Sequence, residues 1–328
     1  MNMKRIGITI GDPSGIGPEV SLKALAKNSD YREESIIFGT RSILDYYKQL
    51  LNISIPFNYV TDVDDCKPGM INIYDVLDIP LDKIPIGEVS PISGDAAYQY
   101  LDKSIGLAMA GKLGPIVTAP LNKDALHKGG HNFDGHTEIF ATLTGTKKYT
   151  MMLWSEKLSV VHVSTHVPLR KACDLVKKDR VMDCIALAAD AKQKLGIANP
   201  KIAVAGLNPH SGEDGLFGTE DRDEIAPAVE AMKAKGYDVT GPVPPDTVFL
   251  RASRGEFDIV VAMYHDQGHI PMKLLAFDDG VNVTLGLPII RTSVDHGTAF
   301  DIAGKGIAKE QSLLQSIMLA IRFAHNGK

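Results

Sequence analysis

The chain has only three cysteines, Cys66, Cys173 and Cys184, and no two of them stand at a CxxC or other short metal-binding spacing. So sparse and odd a set excludes a disulfide framework and points to a reducing, cytoplasmic setting. Basic runs are equally scarce: the formal charge is −5, and nothing longer than a pair such as Lys147-Lys148 occurs. A nucleic-acid groove or an anionic membrane surface needs a basic stripe that is missing here, so any anionic ligand must be met by a local site. Nowhere do eighteen apolar residues run together, and the apolar run in MNMKRIGITIGDPSG is too short for a secretory signal core. A soluble protein with no membrane and no nucleic-acid partner is the expectation. Internal repeats, low-complexity stretches and flexible linkers are absent too.

At 328 residues the chain exceeds the size at which one core usually keeps growing, which predicts two lobes. Short apolar runs alternate with longer amphipathic ones. Arg5 to Ile10 reads as a strand followed by a helix from about Pro18, and Ser35 to Phe38 as a strand followed by a helix from about Ser42. Further on, a helix from about Asp95 to Ala110 feeds the strand PIVTAP, and one from about Arg180 to Leu195 feeds KIAVAG. Helices over Asp223 to Lys235 and Glu310 to Phe323 and a strand over Phe257 to Met263 complete the pattern, which is that of an α/β fold with largely parallel sheets. Two adjacent strand-like runs, Tyr149 to Trp154 and Leu158 to Ser164, read as a hairpin and interrupt the alternation. They place a lobe change near 145–165.

Three histidines sit where apolar runs stop: His166 in VHVSTHVPL, His210 in IAVAGLNPH and His265 in IVVAMYHDQGH. Strand ends are where open α/β sheets place ligands, and three neutral imidazoles suit a divalent ion with room left for a substrate oxygen. Each taken singly equally suits a turn hydrogen bond. The first turn, GDPSGIGPE (Gly11 to Glu19), has neither the GxGxxG order nor the Lys-Ser/Thr ending of a P-loop, so it is read as turn chemistry or a ligand-facing loop, not as a Rossmann fingerprint. In GHTEIF, Thr137 is an N-cap or an anion ligand beside His136; Lys273 and Arg291, each in apolar surroundings, either snorkel outward or point charge into a site. The stretch His296 to Lys309 carries three glycines around Asp301, which lets backbone lie close to a flat ligand while a carboxylate meets hydroxyls.

Taken together, GDPSGIGPE, TAPLNK, GHTEIF, STHVPLR, GLNPHSGE, AMYHDQGH and GLPIIRTSVDHGTAFDIAGKG resemble the 4-hydroxythreonine-4-phosphate dehydrogenase family over essentially the whole chain. That resemblance implies a two-lobed fold like that of the isocitrate and isopropylmalate dehydrogenases, not a Rossmann fold, with the chain returning to its first lobe near the C-terminus. It also implies a homodimer whose active site lies at the subunit interface. It implies NAD, and one divalent ion (Zn, Mg, Mn or Co) on His166, His210 and His265. Substrate contacts fall on His136, Thr137, Lys273, Asn282 and Arg291, and cofactor contacts on His296, Gly297, Asp301, Ile302 and Gly304. The last stretch is similar to the adenosine-binding loop HGSAPDIAGKGIA of the isopropylmalate dehydrogenases, and a carboxylate at Asp301 leans toward NAD over NADP. The general base is open between Asp246 and Lys273. His269, in place of a leucine, is similar to a catabolic subgroup that oxidises 4-phospho-D-threonate or 4-phospho-D-erythronate to dihydroxyacetone phosphate and CO₂. The biosynthetic alternative is 4-hydroxy-L-threonine 4-phosphate oxidation for pyridoxal phosphate. More remote are a metal-dependent phosphohydrolase and a sugar-phosphate sensor.

Overall fold

In the computed structural model, which describes residues 4–277 and 279–326, the first apolar run becomes β1 (Ile6–Thr9), buried along its whole length. A strand that is apolar on both faces must be covered on both, which selects a parallel sheet between helices. The chain forms two units, residues 4–147 with 287–325 and residues 148–286. After β1 the first unit adds α1 (Gly17–Lys27), α2 (Ser29–Glu34), β2 (Ser35–Gly39), α3 (Arg41–Leu50), β3 (Phe57–Val60), β4 (Ile71–Asp75), α4 (Pro91–Met109), β5 (Ile116–Thr118), α5 (Lys123–Lys128) and α6 (His136–Leu143). The second contains β6 (Thr150–Trp154), β7 (Ser159–His162), α7 (Leu169–Leu175), α8 (Lys178–Lys194), β8 (Ile202–Ala205), α9 (Ala226–Ala234), β9 (Val239–Val243), α10 (Pro245–Ser253), β10 (Ile259–Ala262), α11 (His265–Ala276) and β11 (Val281–Leu285). β12 (Arg291–Val294) and α12 (Gln311–Asn326) then return to the first unit.

Within the first unit the strand order is β3-β4-β2-β1-β5-β12, every pairing parallel. Its core joins Ile6, Ile8, Ile36, Phe38, Ile73 and Ile116 from the strands to Leu25 of α1, Tyr47 of α3 and Tyr100 of α4. The second unit runs β11-β6-β7-β10-β8-β9. Here β11-β6 and β6-β7 are antiparallel, the latter being the hairpin read from the sequence, and β7-β10-β8-β9 are parallel. Val160, Ala203, Val260, Phe249 and Met272 fill its core. The α/β class and the predominance of parallel strands stand as the sequence pattern implied. α4 starts at Pro91, earlier than its apolar period, because the Ser90 hydroxyl accepts the Ser93 N–H and Pro91 suits the first helical position. No helix among the described residues is long and apolar enough to cross a membrane.

The turn after β1 is built on a close approach. Gly11 has φ +64°, and a Cβ there would lie 2.1 Å from the Pro120 carbonyl oxygen. The next residue, Asp12, is fully buried; its Oδ1 accepts the Ser14 N–H at 2.9 Å, and Oδ2 has no hydrogen-bond partner among the described residues. Burial pushes its carboxyl up to about 7, the Ser14 N–H opposing. A raised carboxyl holds its proton longer in the folded state, so this contribution to stability is complete near pH 4 and is lost as pH rises through 7, a loss on the order of 4 kcal/mol if the shift is realised in full. Asp12→Asn should therefore flatten the fall in Tm between pH 5 and pH 8 relative to the unaltered protein. Parallel pH profiles for the two would refute this assignment.

Candidate functional site

β7, β10 and β8 are neighbours and parallel, so their carboxyl ends face one edge of the sheet, and the segments leaving those ends carry His166, His265 and His210 respectively. Two buried side chains tie the ends together. The Gln267 amide oxygen accepts the Met263 N–H at 2.7 Å, while its Nε2 donates to the Gly206 carbonyl at 2.8 Å, linking the exits of β10 and β8. The Ser164 hydroxyl donates to the Met263 carbonyl at 3.1 Å, linking β7 to β10. On the His210 side the buried Asp221 carboxylate accepts the Leu207 and Asn208 N–H groups and the Asn208 amide. From His210 to Asp214 the backbone has φ between 40° and 83°, a left-handed run that costs on the order of 1 kcal/mol for each residue with a Cβ.

His166 and His265 are brought together. Their rings lie 5.5 Å apart, and both line a cavity of about 390 Å³ with Thr165, Pro168, Ala172 and Tyr264. His265 opens α11, one step beyond the loop its sequence context implied. Its Nδ1 lies 2.6 Å from the Asp266 carboxylate, and a proton donated there would leave the lone pair on Nε2, the tautomer a metal-binding imidazole needs. One helical turn on, His269 stacks on it with centroids 3.6 Å apart and planes 11° from parallel, its Nδ1 bonded to the His265 carbonyl at 3.0 Å. His162, 4.8 Å from His269, is fully buried; burial first, then the neighbouring His269, lowers it to about 3, so it is neutral. A side chain at Gly268 would meet the His162 Nε2 at 2.3 Å, so that glycine is what lets the helix lie on this ring. The sequence reading includes His269 as the mark of the catabolic subgroup, not as a partner stacked on His265, and does not include His162. The spacing HDQGH, which puts two imidazoles on one helix face, was the signal for His269 as that partner.

His210 is exposed and does not line this cavity. Among the described residues no group of three His, Cys, Asp or Glu side chains is placed to hold a metal ion. The donor chemistry thus fits a divalent ion at the His166–His265 pair, while the three-histidine set does not close within one chain.

In the first unit Arg291 opens β12 and is 3% exposed; its Nη2 donates to the Thr118 hydroxyl at 3.0 Å, and the guanidinium lies 5.7 Å from the Phe140 ring centre. Burial pulls it down to about 9, Glu138 partly restoring the charge, so it stays cationic at neutral pH. His136 is the first residue of α6; its buried Nε2 has no hydrogen-bond partner among the described residues, and burial and then Arg291 hold it well below the usual histidine range. The N-cap of α6 is Gly135, which corrects the N-cap alternative for Thr137: that residue lies inside the first turn. A buried cation beside a neutral imidazole and a helix start supplies the kinds of donor that an anion would need.

In the second unit Lys273 is half-buried on α11 with its ammonium 5.3 Å from the Phe277 ring centre, Asn282 on β11 donates to the Met151 sulfur at 2.9 Å, and exposed Asp246 lies in the first turn of α10. In the loop after β12, His296, Gly297 and Asp301 are exposed, Ile302 is half-buried, and Gly304 takes φ +76° with its N–H on the Tyr47 hydroxyl at 2.9 Å.

Residues 31–320 match the family described as pyridoxal phosphate biosynthetic protein PdxA. The chain is 49% identical over 330 residues to the D-threonate 4-phosphate dehydrogenase of Pectobacterium atrosepticum, covering 98% of this chain and 99% of that one. It is 47% identical to the D-threonate 4-phosphate dehydrogenase of Salmonella typhimurium, over 99% and 100% of the two chains. The crystal structure of a 4-hydroxythreonine-4-phosphate dehydrogenase from Klebsiella pneumoniae superposes with a TM-score of 0.87 at 46% identity, over 98% of each chain.

Proposed function

Because the chain belongs to the PdxA family and is an oxidoreductase, we propose that it oxidises 4-phospho-D-threonate, or 4-phospho-D-erythronate, with NAD and a divalent metal ion. C3 would give up its hydrogen as hydride, for which bound NAD would be the acceptor, while the C3 hydroxyl would lose its proton to a base, leaving a 3-keto group. The resulting 3-keto acid loses CO₂, and C2 takes up a proton to give dihydroxyacetone phosphate. The observation that carries the substrate is the 49% identity, along nearly the full length, to a D-threonate 4-phosphate dehydrogenase.

In this reading Arg291, His136 and Thr137 bind the anionic substrate, the charge-assisted hydrogen bonds of a guanidinium fork giving it a fixed orientation. Lys273 and Asn282 are further substrate contacts, and Lys273 and Asp246 are the two groups to which the hydroxyl proton passes in turn or alone. His166 and His265 hold the ion, with His210 supplied by a second copy of the chain. When bound, a divalent ion supplies Lewis acidity to the C3 hydroxyl and an electron sink for loss of CO₂. Docking of a second copy is supported by α11 itself, where Ile270, Leu274 and Phe277, 57%, 81% and 72% exposed, form an apolar stripe on the helix that carries His265.

His296, Gly297, Asp301, Ile302 and Gly304 form the proposed adenosine site, with the exposed Asp301 carboxylate on the ribose hydroxyls. Asp301→Ala should lower the ratio of kcat/KM for NAD over NADP by roughly tenfold, since a carboxylate both binds a 2′-hydroxyl and repels a 2′-phosphate. An unchanged ratio removes Asp301 from the site.

The 46% identity to the Klebsiella enzyme favours a second reading, oxidation of 4-hydroxy-L-threonine 4-phosphate. Measuring kcat/KM side by side on 4-phospho-D-threonate, 4-phospho-D-erythronate and 4-hydroxy-L-threonine 4-phosphate decides between them. The proposal expects one of the first two to lead, and a lead for the amino acid phosphate replaces it with the second reading.

A further inference from the structure

α1 does more than cover the sheet. The Glu19 carboxylate, fully buried on its first turn, accepts both the Lys23 ammonium and the Ala308 N–H at 2.7 Å through Oε1. The same ammonium donates to the carbonyls of Gly306 at 2.9 Å and Ala308 at 2.7 Å. All three protons of an ammonium group are then committed, one to the carboxylate and two to the backbone that follows Gly304. Upstream, the Thr298 carbonyl accepts the Ile16 N–H at 3.0 Å, and a Cβ on Gly15 would lie 2.9 Å from the Thr298 Cβ. Midway, the Tyr47 hydroxyl takes the Gly304 N–H. The stretch 298–308 is therefore fastened along one side, at its start, middle and end, to residues 15–23 and 47, while His296, Gly297, Asp301, Lys305 and Ile307 are left exposed.

We propose that Glu19 and Lys23 are positioning residues for the dinucleotide: they clamp the backbone of residues 306–308 so that the exposed side of the loop is already shaped for the adenosine half of NAD. The GDPSGIGPE segment is then neither a phosphate cradle nor a mere turn, but the platform on which the cofactor loop is built. A loop held in its binding shape spends less affinity on ordering, so the clamp acts on cofactor binding and leaves the chemical step alone. This rests on the assignment of that loop to NAD.

The test is steady-state kinetics and direct titration of the full-length protein with NADH, followed by its fluorescence. Lys23→Met should raise KM for NAD and Kd for NADH by about tenfold, as loss of charge-assisted hydrogen bonds does, with kcat at saturating NAD and KM for the phosphorylated substrate unchanged. Tyr47→Phe, which removes one hydroxyl from an intact core, should raise the same two constants by a smaller factor and serves if Lys23→Met does not fold. Lys23→Arg, which keeps the charge on Glu19, should fall between. Failure of the unaltered protein to bind NADH overturns the cofactor reading itself. If that protein binds NADH and the variants bind it equally well, or if kcat and both KM values worsen together with Tm, the clamp is structural only and the proposal fails.

Discussion

Alanine at His166 or at His265 is expected to lower kcat/KM by roughly 10³-fold or more, the several kcal/mol that a Lewis acid contributes to a hydroxyl oxidation. The fold should survive either change. His166 is exposed and the His265 side chain is 35% exposed, so neither substitution empties a core, and Tm should move by only about 2 °C. Isothermal titration of the metal-free protein with Zn²⁺ or Co²⁺ provides a readout apart from turnover: affinity should drop in both variants, and in His210→Ala as well. Since one chain brings only two of the three imidazoles together, the proposed shared site has the His210 effect come from a second copy. Mixing His166→Ala with His210→Ala and letting subunits exchange should then restore activity, because one site in each mixed dimer has all three ligands. Exchange confirmed by mass without return of activity would show that the shared site is wrong.

Arg291→Met should raise KM for the phosphorylated substrate by about 10²-fold, the cost of leaving a bound anion without its buried guanidinium partner. The change should nevertheless spare the fold. A cation whose folded pKa is depressed contributes stability only at pH values near or above its ordinary, unfolded pKa; by neutral pH, below the folded value of about 9, that contribution is gone and the full desolvation cost is present. Replacing it with an apolar chain of similar length removes this cost, so Tm at pH 7 should hold or rise. Arg291→Lys should recover only part of the affinity, since an ammonium lacks the two-pronged donor geometry. A large loss of Tm with unchanged KM in Arg291→Met would make the residue structural and move the anion site elsewhere.

How much of this was legible in the sequence differs by element. β1, β2, β8 and β10 are continuous apolar runs and read as buried strands without difficulty. β12 does not: RTSV is polar by composition, yet all four residues are buried, because Arg291 and Ser293 are spent on Thr118 and Thr292 on the Ser316 carbonyl. Periodicity registers hydrophobicity, and a strand that buries polar residues against internal partners gives no such signal. The histidine site was legible in part. Strand ends located His166 and His265 on one edge, but the stacking of His265 on His269 and the burial of His162 depend on how α11 lies over β7, which is a tertiary fact. His210 stands outside the cavity and in the left-handed run at 210–214, a conformation that PHSGED carries no strong composition mark for beyond its single glycine. The clamp on the cofactor loop joins residues almost three hundred positions apart, beyond the reach of any local motif.

If this protein couples oxidation to loss of CO₂ on a phosphorylated four-carbon acid, as proposed, one stoichiometry follows. Purified protein, a divalent ion, NAD and 4-phospho-D-threonate are incubated to completion, and reduced nicotinamide, dihydroxyacetone phosphate and inorganic phosphate are measured in the same sample. NADH and dihydroxyacetone phosphate are expected in a one-to-one ratio with no phosphate released. Phosphate released without NADH, or substrate bound and returned unchanged, would contradict it.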